Sequence, residues 1–176
     1  DPIAVVIFEH KGLYWSKVPG TEAARCVMPD EDYVVPLGMA RLVQSADPDR
    51  IRRGEALALI TYGMGVHWAL NASRQFEGQV SILDLRSLVP LDTEAIYNLV
   101  TSHHRCLVVT EETIENSFTQ TLAGRIGEHC FEYLDAPVKA IGAKNLPAIP
   151  LNSILEQEMV LNAEKVGIEI GKLLEY

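Results

Sequence analysis

The residues best placed to do chemistry lie in ALALITYGMGVHWALNASRQF, where two glycines, Gly63 and Gly65, follow an unbroken apolar run from Ala56 to Ile60. After them Val66, Ala69, Leu70 and Phe76 recur near helical spacing, so the glycines mark a strand-to-helix turn. A dinucleotide-binding turn reads G-x-G-x-x-G and has an acid about 20 residues further on to hold a ribose hydroxyl. Asp84, in VSILDLR, occupies that position. Trp68 stands where the third glycine would let helix and strand pack closely, and an indole there should push the helix away. An NAD- or FAD-binding oxidoreductase module is therefore the alternative reading, on an incomplete fingerprint. His67 falls in the first turn of the helix. Because a general base needs a substrate within reach, it reads as a histidine hydrogen-bonded at a domain or subunit contact.

Three further groups have chemical potential. Glu111 and Glu112 pair two carboxylates at a strand end, and Glu111 reads as a structural acceptor for nearby backbone amides. His103, His104 and Cys106 have metal-binding side chains, but adjacent residues diverge and no second pair follows at zinc spacing. They read as a solvated helix end, where imidazoles suit the negative pole of the helix dipole. Asn71-Ala72-Ser73 spells a glycosylation acceptor inside a helical pattern and is discounted.

The elements that must position these residues are legible as apolar patterns. Strands are expected at Ala4–Phe8, Met39–Gln44 (weakly), Ala56–Thr61, Val80–Asp84 and Cys106–Thr110, with a further one at Val138–Ile141. A helix from Thr93 to Ser102 has Asp92 to cap its free amides and a Leu91–Ile96 staple. Phe118, Leu122 and Ile126 form a second helical stripe, and Ala163, Val166, Gly167, Ile170 and Leu174 a last one. Strands alternating with helices imply a mainly parallel sheet covered on both faces. Residues 9 to 35 carry Gly12, Pro19, Gly20 and Pro29 without sustained period and read as a linker or long loop.

Composition bounds the function. With 176 residues and 48% apolar content the chain can bury a full core without metal or disulfide. A net charge of −9 argues against nucleic acid and permits a basic partner. Three cysteines without CxxC spacing and no secretory pattern suggest a cytoplasmic protein. No apolar run approaches the ~20 residues of a membrane span. The absence of an initiator Met and the opening IAVVIF suggest a piece cut from a longer chain.

IFEHKGLYW, EDYVVPLGMA, ITYGMGVHWALNAS, ILDLRSLVPLDTEAI, HRCLVVTEE and CFEYLDAPVKAIGAKNLPAIP resemble, in order and spacing, the β-type subunit of thiamine-diphosphate-dependent 2-oxoacid dehydrogenases, the decarboxylating components for pyruvate, branched-chain 2-oxoacids and acetoin. The resemblance implies that residues 1–17 end a pyrimidine-binding domain, 18–32 form a linker, and 33–176 form a transketolase carboxyl-terminal domain. Such a domain is a three-layer α/β/α sandwich with a five-stranded, mostly parallel sheet and one antiparallel strand. Thiamine diphosphate and Mg²⁺ would serve the full-length parent; the GDG…NN diphosphate motif is missing here, so no catalytic, cofactor or metal residue carries over to this chain. The implied partners are a second β-type domain in a homodimer, an α-type thiamine domain, and the basic peripheral subunit-binding domain of an acyltransferase core. The partner-facing candidates are His67, Glu111, Asp135 of LDAP, and the terminal Tyr176. One departure stands out. Where the family commonly has His-Glu and then Gly-Gly-Phe, this chain has Thr110-Glu111 and then Asn116-Ser117-Phe118, which is expected to reshape the loop.

Overall fold

A computed structural model describes residues 4–15 and 17–176. Residues 1–3 and 16, at the ends of the expected pyrimidine-domain segment, lie outside the described residues.

Five strands form the sheet: β1 (Arg41–Gln44), β2 (Leu57–Thr61), β3 (Val80–Asp84), β4 (Cys106–Thr113) and β5 (Lys139–Ala143). Their order is β1-β3-β2-β4-β5; β1 runs antiparallel to β3 and every other pair is parallel. Six helices accompany them: α1 (Pro48–Arg52), α2 (Met64–Ser73), α3 (Thr93–His103), α4 (Phe118–His129), α5 (Ser153–Met159) and α6 (Ala163–Leu174). The three-layer sandwich with one antiparallel edge is the architecture expected.

The period of two along each strand sorts the core into two clusters. Leu57 and Leu59 of β2, Val80 and Ile82 of β3, and Leu107 and Val109 of β4 join Ala69 and Ala72 of α2 and Val166, Ile170 and Leu173 of α6. Ala58, Ile60, Leu83, Cys106 and Val108 point the other way, onto Ile96 and Val100 of α3 and Leu122 and Ile126 of α4. Buried on both faces, β2 reads in sequence as an unbroken apolar run. Asp92 caps α3 as expected, Oδ1 accepting from Ala95 N at 3.1 Å, and it also ties down the approach to β1 through Oδ2 and Ala40 N at 2.9 Å.

Two expectations fail here. Ala4–Phe8 is not a strand: it pairs with no strand among the described residues, and Val6, Ile7 and Phe8 are 74, 79 and 93% exposed. An apolar run rich in β-branched residues favours an extended chain, but a strand also needs a ladder partner. The second concerns His103, which is only 2% exposed instead of lying at a solvated helix end. The last turn of α3 lies over β3, so Nδ1 donates to Leu99 O at 2.8 Å while Nε2 accepts from the Ser81 hydroxyl at 2.8 Å. That hydroxyl in turn accepts from Ala46 N at 2.8 Å. The network is satisfied by neutral imidazole, and burial lowers the His103 pKa. The unfolded chain therefore takes up this proton more readily, so stability is lost as pH falls below the ordinary histidine value of about 6.5. Urea midpoints at pH 7.5 and 5.5 should show this loss, and His103→Gln should reduce the difference.

Candidate functional site

The strand order reverses between β2 and β4, whose following helices leave to opposite faces of the sheet. At such a reversal α/β proteins commonly hold ligands in the crevice beyond the strands' carboxyl ends. The Gly63–Gly65 turn and Glu111–Glu112 both lie there.

The two glycines do different work. Gly63 takes φ 57° and ψ −128° as the residue before α2, a conformation that side chains disfavour, and an added Cβ would meet nothing within 4 Å. Gly65 lets the helix touch the sheet: a Cβ there would lie 2.0 Å from Thr61 Oγ1. Trp68 does not push α2 away, because close approach is settled one turn earlier and the half-buried indole packs beside the first core cluster. Gly65 N donates to Tyr62 O at 3.1 Å and Val66 N to Gly63 O at 3.3 Å, so two amides that a diphosphate would need are consumed by the turn. Asp84 turns its Oδ1 to Arg86 N at 3.0 Å. This geometry disfavours a dinucleotide.

His67 is 8% exposed, and its Nδ1 is buried without a hydrogen-bond partner among the described residues. Burial lowers its pKa, with His10 acting in the same direction and Asp84 and Glu22 opposing. Its carbonyl accepts from Asn71 Nδ2 at 2.8 Å, and the same amide donates to Gly20 O at 2.7 Å. Thr21 beside it is 1% exposed. The expected linker therefore begins with a portion seated on α2.

Glu111 differs from expectation. Its carboxylate meets His10 Nε2 at 3.1 Å instead of backbone amides. The backbone acceptor is Thr110 Oγ1, which takes Glu112 N at 3.3 Å. Tyr62 OH lies 2.9 Å from that hydroxyl and donates to Glu112 Oε1 at 3.2 Å. In the following loop Asn116 takes φ 58°, so the conformation available to the family's first glycine is kept by asparagine, a residue that tolerates it. Ser117 accepts from Gln120 N at 2.9 Å and caps α4, a gain that Gly-Gly lacks.

Asp135 and Tyr176 lie away from this crevice. Asp135 is exposed, with its amide donating to His104 O at 2.8 Å just before β4 begins. Its neighbour Ala136 is buried in the cluster that holds Leu173 and is flanked by Leu174. Gly171 of α6 faces Phe76, which precedes β3. The end of α6 and Asp135 thus share the amino-terminal end of the sheet, with Tyr176 67% exposed. Phe131 and Tyr133, which sequence reasoning missed, are exposed on the same loop. The sequence did carry a signal for them: two aromatics flank Glu132 just before LDAP.

Among the described residues no group of three or more His, Cys, Asp or Glu could hold a metal ion, and no helix is long and apolar enough to cross a membrane. His103 and His104 face Ser81 and Tyr133 O respectively, and do not converge with Cys106.

A five-stranded sheet with one antiparallel edge strand, covered on both faces by helices, defines a three-layer α/β domain. The chain belongs to the family of the transketolase carboxyl-terminal domain, whose model matches residues 47–166. It is 35% identical over its whole length to the 2-oxoisovalerate dehydrogenase subunit beta of Bacillus subtilis, covering 50% of that protein. It is 30% identical to the pyruvate dehydrogenase E1 component subunit beta of Rhizobium meliloti, over 94% of this chain and 33% of that one. A similar 30% relates it to the acetoin:2,6-dichlorophenolindophenol oxidoreductase subunit beta of Bacillus subtilis, over 79% of this chain and 39% of the relative. The chain thus spans half or less of the length of these relatives. A solved split-gene transketolase, an inactive beta4 tetramer, shares the fold over 83% of this chain and 45% of that one, with TM-score 0.64 and 17% identity.

Proposed function

We propose that this chain is the carboxyl-terminal assembly and docking domain of the β-type subunit of a thiamine-diphosphate-dependent 2-oxoacid dehydrogenase, acting in the cytoplasm. In this reading residues 33–176 are the domain, 18–32 the linker and 1–17 the end of the pyrimidine-binding domain. The parent decarboxylates a 2-oxoacid oxidatively and passes the acyl group to a lipoyl acyltransferase. Its partners are a second β-type domain, an α-type domain and the acyltransferase's subunit-binding domain. The observation that carries the reading is the similarity to β subunits of three such enzymes over 79–100% of the chain.

The GDG…NN diphosphate motif is missing from the sequence. Catalysis is accordingly assigned to the remainder of the parent. Docking is assigned to the amino-terminal end of the sheet, where the exposed Asp135 and Tyr176 suit a basic domain.

Calorimetric titration tests this. The chain should give a saturable isotherm with the cognate subunit-binding domain and none with thiamine diphosphate and Mg²⁺, NAD or FAD. A saturable NAD or FAD isotherm would move the reading to a nucleotide-binding module, and one with thiamine diphosphate would overturn the division of domains.

A further inference from the structure

β5 closes one end of the sheet and has a strand on one side only, β4. Beyond that ladder its backbone makes one further backbone hydrogen bond among the described residues, Ile114 N donating to Ala143 O at 3.0 Å. Alternate residues of an edge strand direct their N–H and C=O groups away from the sheet, so this edge is a template for another strand. Four consecutive residues, Lys139 to Gly142, line a groove of about 310 Å³, which therefore follows the edge and not one face of the strand. Met159 and Leu161 supply its apolar wall. Lys139 and Ile141 share the face of α6, because their ladder partners Leu107 and Val109 belong to the first core cluster. The other charges of the groove are engaged. Glu169 meets Lys172 at 2.7 Å, Lys144 meets Glu158 at 3.5 Å, and Lys165 Nζ donates to the carbonyls of Gln157, Glu158 and Val160. Lys139 is exposed and pairs with no carboxylate among the described residues.

We propose that the free edge of β5 takes an extended acidic peptide segment as an added strand. The occupant presents an aliphatic side chain beside Ile141 and, two residues away on the same face, a carboxylate beside Lys139. Backbone hydrogen bonds to the edge would hold any extended chain, and the side chains at alternate positions select this one. Opposite charges facing each other on neighbouring strands stabilise the pair, and like charges destabilise it. A second copy of β5, KAIGA, brings a lysine and no acid, so charge favours a foreign acidic segment over self-pairing. In a chain of net charge −9 the unpaired lysine makes this edge a local exception. The inference stands on the unpaired edge and its charge, without the docking role assigned to Asp135.

The probe is the end-blocked peptide Thr-Glu-Thr-Val-Thr-Glu-Thr, whose symmetry brings an acid beside Lys139 whether it lies parallel or antiparallel to β5. Titrated into the isotope-labelled chain and followed by NMR, it should shift the β5 amides saturably and slow hydrogen exchange at those directed away from β4. Methylating every second backbone nitrogen of the peptide should abolish binding in one of the two possible registers and spare it in the other. Lys139→Glu, at an exposed position, should weaken the acidic peptide roughly tenfold and favour Thr-Lys-Thr-Val-Thr-Lys-Thr by a similar factor. The absence of a saturable shift at millimolar peptide would overturn the proposal. So would shifts without added protection, which mark attraction to Lys139 alone, or binding indifferent to methylation in both registers. Protection of β5 that rises with chain concentration in the absence of peptide would assign the edge to a second copy and overturn it as well.

Discussion

Gly65→Ala is expected to destabilise the protein by about 3–5 kcal/mol, combining overpacking with a disturbed buried hydrogen bond. At this chain length that corresponds to a fall of roughly 10 °C in Tm. The added methyl would lie 2.0 Å from Thr61 Oγ1 and 3.3 Å from Thr61 Cβ. Thr61 is fully buried and cannot swing away freely, because its hydroxyl donates to Val109 O at 3.0 Å and links β2 to β4. Either α2 lifts from the sheet or Thr61 rotates and abandons that carbonyl. Thr61→Ala removes the colliding oxygen, so the double variant should recover about 1–3 kcal/mol relative to additivity. Gly63→Ala is the control. Its strain of about 1–3 kcal/mol is a backbone matter, with empty space around the missing Cβ, and Thr61→Ala should not relieve it. Thermal melts of the three single and two double variants decide the matter. Additive effects of Gly65→Ala and Thr61→Ala would show that contact with Thr61 is not why glycine stands there.

That distinction shows where the sequence stops being informative. Two glycines after an apolar run mark a strand-to-helix turn, and the turn is there, but which glycine serves φ and which serves contact depends on Thr61 at the end of the preceding strand. The core strands and α2, α3, α4 and α6 are legible because each buries a periodic apolar stripe. The short helices are not, since α1 buries nothing and α5 buries only Met159. Asp47 followed by Pro48 was nonetheless a readable start for α1: Asp47 accepts from Asp49 N at 2.7 Å, and proline occupies the first turn. Local pattern also cannot report pairing. It promised a strand at Ala4–Phe8, which pairs with no strand among the described residues, and it was silent on His10 meeting Glu111 or His103 meeting Ser81, contacts set by topology over 101 and 22 residues. Composition at Asn116 was misleading for a related reason, because losing a glycine loses a positive φ only when the replacement cannot adopt it.

On the docking role proposed above, Asp135→Ala is expected to weaken binding of a cognate subunit-binding domain by about 2–5 kcal/mol, thirtyfold or more, with its carboxylate desolvated against an arginine in the complex. The loop that carries it is not free to drift: His104 holds it at both sides, accepting the Asp135 amide and pairing Nδ1 with Tyr133 O at 2.7 Å. Ala136 then anchors the chain in the core beside Leu173. A fixed acid loses little entropy on binding, which favours a direct effect on dissociation over a mere change in encounter rate. Phe131, at 76% exposure, and Tyr133, at 51%, extend the same surface and offer aromatic faces to the stems and heads of basic residues. Removing Tyr176, so that the chain ends at Glu175, displaces the terminal carboxylate and takes away a ring that is 67% exposed. Its effect should be smaller than that of Asp135→Ala, because a residue beyond the end of α6 is less firmly held than the anchored loop. Both losses should be larger at low ionic strength for the encounter component, since a Debye length of about 10 Å at 0.1 M salt screens surface attraction. Affinities measured for the two variants at two salt concentrations separate the contributions. A loss for Asp135→Ala that persists at high salt marks a desolvated pair, one that vanishes marks steering alone, and unchanged affinity for both variants at both concentrations would remove docking from this end of the sheet.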